Sequence, residues 1–329
     1  MNRKMLIIPL LFLIIFCISA CGTKKEAKTD DSGKIRITAS IFPAFDWTRN
    51  ILGENPAEIE LSLLVNNGVD LHSYQPSVED ILKITNSDLF IYTGGESDQW
   101  VTEALNQPRN PNLHVLKMID VLGDAAKTEE TVEGMQQEEH EAEEQEDEYD
   151  EHIWLSLRNA AVIAEAVKDE LSALDPQNAD VYAANLKTYS EKLSALDDLY
   201  TKTISDAPIK TLLFGDRFPF RYLVDDYGLE YYAAFSGCSA ETEASFDTIT
   251  FLAQKCDELE LPVVLTIDGT DHRIADTIVN NTRSKAQSIL TLDSMQSVTK
   301  KEIDNGTNYI SIMENNLEIL KQALGKDGH

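Results

Sequence analysis

The chain has 329 residues, with 57 Asp and Glu against 28 Lys and Arg, a formal net charge of −29 and an apolar fraction of 43%. That apolar fraction is ordinary for a folded chain and supplies one large or two medium cores. The acidity excludes a nucleic-acid surface, which needs clustered Lys and Arg; it suits cation handling, or simply solubility outside the cell.

Arg3 and Lys4 precede an apolar run from Met5 to Ala20, too short and too one-sidedly flanked for a stable membrane span. Residues 1–20 therefore read as a secretory signal peptide. The run ends in Ile18-Ser19-Ala20-Cys21, the pattern that bacterial lipoprotein signal peptidases accept, so Cys21 is the expected site of lipidation. A plain signal or a single anchor helix is the alternative. Residues 21–34 form a polar tether, and the expected location is the outer face of the cell membrane, held by the lipid anchor.

From residue 35 the pattern is α/β. Residues 35–43 alternate as a strand and lead into a helix over 44–52; residues 59–65 are a second strand; a helix starts at Pro76-Ser77, and 88–92 is a third strand. Thirteen of the residues from Glu129 to Glu151 are acidic, and 128–151 reads as a mobile loop inserted in the first lobe. A long helical region follows Trp154, breaks at Asp175-Pro176, and resumes with Tyr182, Leu186, Tyr189, Leu193, Leu196 and Tyr200 on one stripe. A second α/β unit then has strands at 211–214, 229–235 and 262–267, with helices at 218–227, 245–259, 274–281 and 309–324.

The expected architecture is two similar α/β lobes with parallel sheets, residues 35–177 and 207–329, joined by a linking helix over 178–206. A cleft lies between the lobes where the carboxyl ends of the strands point, which is where ligands bind in such sheets. Cys238 and Cys256 remain after Cys17 leaves with the signal and Cys21 takes lipid. An even pair in an oxidising compartment is compatible with a disulfide.

Each of the six histidines can be weighed separately. His72, in Asp70-Leu-His-Ser-Tyr-Gln-Pro76, lies on a strand-to-helix loop; His152, in Asp150-Glu-His-Ile-Trp154, lies between the acidic loop and a helix. Both are expected to face the cleft, where a neutral imidazole is a natural ligand for a borderline-soft cation. Taken singly, each fits a structural histidine as well.

The ordered set DLHSYQPSVEDI, ITNSDLFIYTGG, DEHIWLS, DPQNADVYAANLKTY, DDYGL and NYISIMENNLEIL resembles the metal receptors of zinc and manganese ABC transporters. The resemblance covers almost all of the chain after the tether. It implies two lobes on a rigid backbone helix, a buried four-ligand site between them, and delivery of Zn2+, or alternatively Mn2+, to an ABC transporter permease by a monomer. His72 and His152 match the first two ligands of that family, and Asp268, after the strand ending at Ile267, matches the fourth. At the third position, where zinc members commonly place a histidine, this chain reads Gly215-Asp216-Arg217. Arg cannot coordinate, so Asp216 is the natural substitute, with capping of the following helix as its other role. Two nitrogens and two oxygens would resemble a manganese site, although intrinsic affinity ranks zinc above manganese.

The acidic loop, with His140 as its internal histidine, would raise the local cation concentration. His272 is an alternative ligand near Asp268, and His114 and His329 look incidental. A zinc hydrolase is one rival, yet no His-Glu-x-x-His stretch or nucleophile elbow occurs, so no enzyme is expected. A surface adhesin is the other.

Overall fold

The structure, a computed structural model, describes residues 33–54, 58–136, 149–239 and 243–325. The signal, Cys21, His140 and His329 lie outside the described residues.

The N-terminal lobe is built from β1 (Ile35–Ala39), α1 (Phe42–Leu52), β2 (Ile59–Leu63), α2 (Val78–Asn86), β3 (Leu89–Tyr92), α3 (Val101–Leu105), β4 (His114–Lys117), α4 (Met118–Leu122) and α5 (Leu157–Leu174). Its four strands pair in parallel in the order β2-β1-β3-β4. Pro43 starts α1, and Ser77 caps α2 through a capping box with Asp80, so both helices begin where local chemistry favours them.

After α6 (Ala179–Asp206) come β5 (Thr211–Phe218), α7 (Arg221–Tyr227), β6 (Glu230–Ser236), α8 (Phe246–Glu258), β7 (Val263–Ile267), α9 (Arg273–Asn281), β8 (Ser288–Leu292), α10 (Lys300–Asp304) and α11 (Tyr309–Ala323). The strand order is β6-β5-β7-β8, again all parallel. The two lobes therefore share one topology, and each carries an edge strand, β4 or β8, beyond the three expected. Both edges are short, of four and five residues, and their apolar runs are too brief to stand out from loop.

The 28 residues of α6 span about 42 Å at 1.5 Å per residue. All six residues of the expected stripe are buried on it. Asn185 Nδ2 donates to Ile51 O at the end of α1, and Tyr200 Oη donates to Met313 O in α11, so one helix grips both lobes. The lobes also meet directly. Trp154 Nε1 donates to Ser294 O (2.8 Å), and Tyr309 Oη donates to Trp154 O (2.6 Å). Tyr309 N donates to Asp46 Oδ2 while its ring stands edge-on to Trp47. These aromatics belong to one apolar core that runs through both lobes. Each buried ring contributes on the order of 2–3 kcal/mol, so parting the lobes at the back is costly.

Two expectations change here. The strand expected to stop at Phe214 continues to Phe218 through a register shift against β6 between Phe214 and Arg217. At Gly215 a Cβ would lie 2.6 Å from Ala275 Cα, so α9 packs on the bare backbone and only glycine fits. Secondly, the described start of the acidic segment is not a free loop of the first lobe. Thr128 pairs with Tyr149 to close its base, Gln136 N donates to Ala234 O, Met135 is buried, and Arg221 pairs with Glu130. Val132 and Met135 join the apolar core that runs through both lobes, and Gly134 lies against Phe251 of α8, which a count of acidic residues does not register.

Candidate metal centre

The two histidines are set by the same local device. In Asp70-Leu71-His72, Asp70 Oδ1 accepts the His72 backbone N–H at 2.9 Å; in Asp150-Glu151-His152, Asp150 Oδ1 accepts that of His152 at 2.8 Å. Each aspartate thus turns the chain so that the histidine two residues on points out of the turn. Buried Leu71 anchors the first turn, and buried Ile153, Trp154 and Leu155 anchor the second.

The rings meet. His72 Nε2 and His152 Nε2 are 3.1 Å apart, with centroids at 5.2 Å. The other nitrogen of each ring is held: His152 Nδ1 lies 3.0 Å from Asp150 Oδ1, and His72 Nδ1 lies 2.8 Å from Ser97 Oγ and 3.1 Å from Glu151 Oε1. Ser97 Oγ in turn donates to Glu151 Oε1 at 2.5 Å. Carboxylates behind the Nδ1 atoms orient the rings and leave the Nε2 lone pairs for a cation, the arrangement found behind metal-bound histidines. With Zn–N bonds of about 2.05 Å, two nitrogens of a tetrahedral site are about 3.3 Å apart, so the observed separation nearly matches a coordination edge.

His152 is fully buried and the His72 side chain is 11% exposed, so the site opens to solvent on the His72 side. Burial by itself lowers the His152 pKa, yet the Asp150 carboxylate, followed by Glu151 and Glu129, carries it above the ordinary histidine value. Burial works against ionisation of Glu151, but its bonds and charge interactions with His72, His152 and Ser97 hold it below the usual glutamate value. Glu151 itself fits only because residue 95 is glycine, where a Cβ would collide with its carboxylate.

The other expected ligands carry hydrogen bonds of their own. Asp216, inside β5, accepts from its neighbour Arg217 N, from Ile267 N (3.3 Å) and from Thr270 Oγ1 (2.7 Å), so it ties β5 to the turn after β7. It does not cap α7 either, whose N-cap residue is Phe220. Asp268 accepts Ser294 N and Oγ, both at 2.6 Å, on one oxygen and Ser297 Oγ on the other. His272 lies against Thr291, and His114 pairs with Glu170.

Among the described residues, the group of three able to hold a metal is His72, His152 and Cys238, whose ligand atoms lie within 4.8 Å of one another. Cys238 follows β6, and it is not joined to Cys256: both thiols are free, and Cys256 is buried in the C-terminal lobe with its Sγ against Leu261 O. The sequence does not single out Glu151 or Ser97, and it offers Cys238 only as a possible disulfide partner of Cys256. The repeated Asp-x-His spacing was the one local signal that the acids beside the histidines matter.

The family model described as "ZnuA: Zinc-uptake complex component A periplasmic" matches residues 37–323. The chain is 30% identical over 311 residues to the zinc-binding lipoprotein AdcA of Streptococcus pneumoniae serotype 4, covering 94% of this chain and 59% of that one. The chain thus spans less than two thirds of the length of that relative. It is 29% identical to the high-affinity zinc uptake system protein ZnuA of Bacillus subtilis, covering 95% of this chain and 97% of that one. Among solved structures, the Zn(II)-bound ZnuA-like domain of Streptococcus pneumoniae AdcA is similar at a TM-score of 0.69 and 27% identity, over 89% of this chain and 99% of that domain. The metal-dependent lipoprotein YcdH of Bacillus subtilis is similar at a TM-score of 0.71 and 25% identity, over 88% and 99%. With the two-lobed parallel fold and the facing histidines, these matches place the chain: it belongs to the ZnuA family.

Proposed function

We propose that this chain captures a divalent transition metal outside the cytoplasm, zinc foremost, and hands it to the permease of an ABC transporter. The observation that carries the reading is the meeting of His72 Nε2 and His152 Nε2 at 3.1 Å in the cleft, each ring backed by a carboxylate. The names of the relatives support it, since the Bacillus subtilis protein is a zinc uptake component and the Streptococcus pneumoniae domain was solved with Zn(II). Zinc is preferred to manganese because the donors that meet are imidazole nitrogens, which suit zinc, and because the relatives are named for zinc. The lobes share a core at the back, so capture and release need only a small opening at the front. A monomer suffices for this role. Cys21 as lipid anchor would keep the receptor beside its permease.

The test is elemental analysis and zinc titration of the metal-stripped full-length chain. One equivalent of zinc bound by the wild type and lost in His72→Ala and His152→Ala supports the reading. Stoichiometric binding unchanged in both variants overturns it.

A further inference from the structure

The histidine that zinc members commonly place third is absent from this chain, and the structure offers another donor. Arg217, with Asp216 beside it, stands where a histidine was anticipated; the guanidinium has no lone pair to give and is paired with Asp70. Asp216 and Asp268 already accept three hydrogen bonds each. The cluster nevertheless has a third potential donor, brought by the opposite lobe.

The geometry points to Cys238 as a metal ligand, its thiolate completing with His72 and His152 a sulfur-containing zinc site that spans the cleft. This assignment rests on the reading of the chain as a metal receptor and names the chemistry of its site. Three independent contacts hold the cysteine there. Its backbone N–H donates to Glu129 Oε1 at 2.9 Å, which fixes the turn after β6. Its Sγ lies 3.6 Å from Glu151 Oε1, the same oxygen that faces His72 Nδ1. Its neighbour Gly237 packs so closely on the His152 ring that a Cβ would lie 3.0 Å from Cε1.

Coordination converts Cys–SH and M2+ into a metal-bound thiolate and a released proton, with Glu151 as the nearest base. Three protein donors leave one tetrahedral position open for water, which suits a site that must give up its metal. Because both histidines belong to the N-terminal lobe and Cys238 to the C-terminal lobe, the ion itself becomes a bond between lobes. Sulfur also sets selectivity. A soft thiolate favours zinc, whereas manganese prefers oxygen donors, so Cys238 would separate the two metals more than an aspartate at the same place.

The experiment uses the full-length chain in detergent, with cobalt(II) as spectroscopic probe and zinc and manganese as competitors. The wild type should show a near-ultraviolet sulfur-to-cobalt charge-transfer band. Cys238→Ser should lose that band while keeping the visible ligand-field bands of the histidine site, and Cys256→Ser should keep both. Zinc affinity should fall about tenfold or more in Cys238→Ser, with manganese affinity changed less than about threefold. In the wild type, zinc should protect Cys238 from alkylation by iodoacetamide, read by peptide mapping, a measurement that needs no variant to fold. Cobalt binding without the charge-transfer band, or zinc that leaves Cys238 freely alkylated, overturns the assignment while the receptor reading stands. Failure of the wild type to bind either metal overturns the receptor reading first.

Discussion

Arg217, at the end of β5 in the C-terminal lobe, is ion-paired with Asp70, two residues before His72 in the N-terminal lobe. The pair bridges the two lobes. Burial raises the cost of ionising Asp70, but the Arg217 charge and hydrogen bond, with His72, hold its carboxyl below the usual aspartate range. The residue that displaces the anticipated histidine thus has a role of its own: it steadies the turn that carries the first ligand.

Arg217→Met should therefore leave zinc bound but speed its release about three- to tenfold, and it should cost on the order of 1 kcal/mol of stability. The discount reflects partial exposure, since the side chains of the pair are 15% and 25% accessible. Stopped-flow release into a chelator, with denaturant unfolding of the apo protein, checks both. Because the folded pKa of Asp70 is depressed, its stabilising contribution is present above the unfolded value near 3.9 and is lost as pH falls through the folded value. The stability difference between wild type and variant should vanish in acid.

Zinc affinity should decline as pH drops, because both imidazoles must be neutral to coordinate. The Asp150 carboxylate overcomes burial to lift the His152 pKa, so protons should begin to compete above the ordinary histidine value of about 6.5. Asp150→Asn removes the acceptor charge and should move the onset to lower pH while loosening the ring. Competition titrations with a calibrated chelator between pH 5 and 8 would show it, and an affinity flat over that range would contradict imidazole ligation.

Gly237→Ala tests how tightly the cleft is built. The added methyl would stand 3.0 Å from His152 Cε1 and equally close to Phe218 O, with no flexible chain end to yield. The expected result is zinc binding weakened about tenfold or more with the fold retained, since the strain falls on the ring and the turn after β6. Isothermal titration with circular dichroism separates the two effects.

Asp293 offers a stability signature of its own. Burial, reinforced by the charge of Asp268, pushes it up to about 7. Between its unfolded value near 3.9 and that folded value the native state holds a proton that the unfolded chain has lost, so stability falls as pH rises across this window. Asp293→Asn should remove on the order of 2 kcal/mol of that decline. Urea unfolding of the metal-free protein at pH 5 and pH 8 is the measurement.

The linking helix was legible down to its individual stripe residues, because a 3.6-residue period sustained from Tyr182 to Tyr200 cannot be mistaken for strand or loop. The central strands β3 and β7 were legible for the opposite reason, as buried parallel strands that are continuous apolar runs bounded by turn residues, whereas β1 showed by its alternation. The edge strands β4 and β8 were not, being short and half-exposed. The reach of β5 through Gly215-Asp216-Arg217-Phe218 was hidden as well, since glycine and two charges read as the end of a strand. It continues because α9 covers the glycine and because Asp216 finds donors at Ile267 N and Thr270 Oγ1.

Local sequence determined the two α/β halves, the helix between them and the two histidines on loops that lead into helical turns, since each depends on periodicity or on a turn within a few residues. Only the tertiary structure decided who joins those histidines. Cys238 lies 166 positions from His72 and 86 from His152 in the chain, and sequence carries no distance between such groups. They meet because the carboxyl ends of two parallel sheets face one cleft. Asp216 and Asp268, the carboxylates expected as ligands, meet hydrogen-bond donors that only the packed C-terminal lobe brings to them.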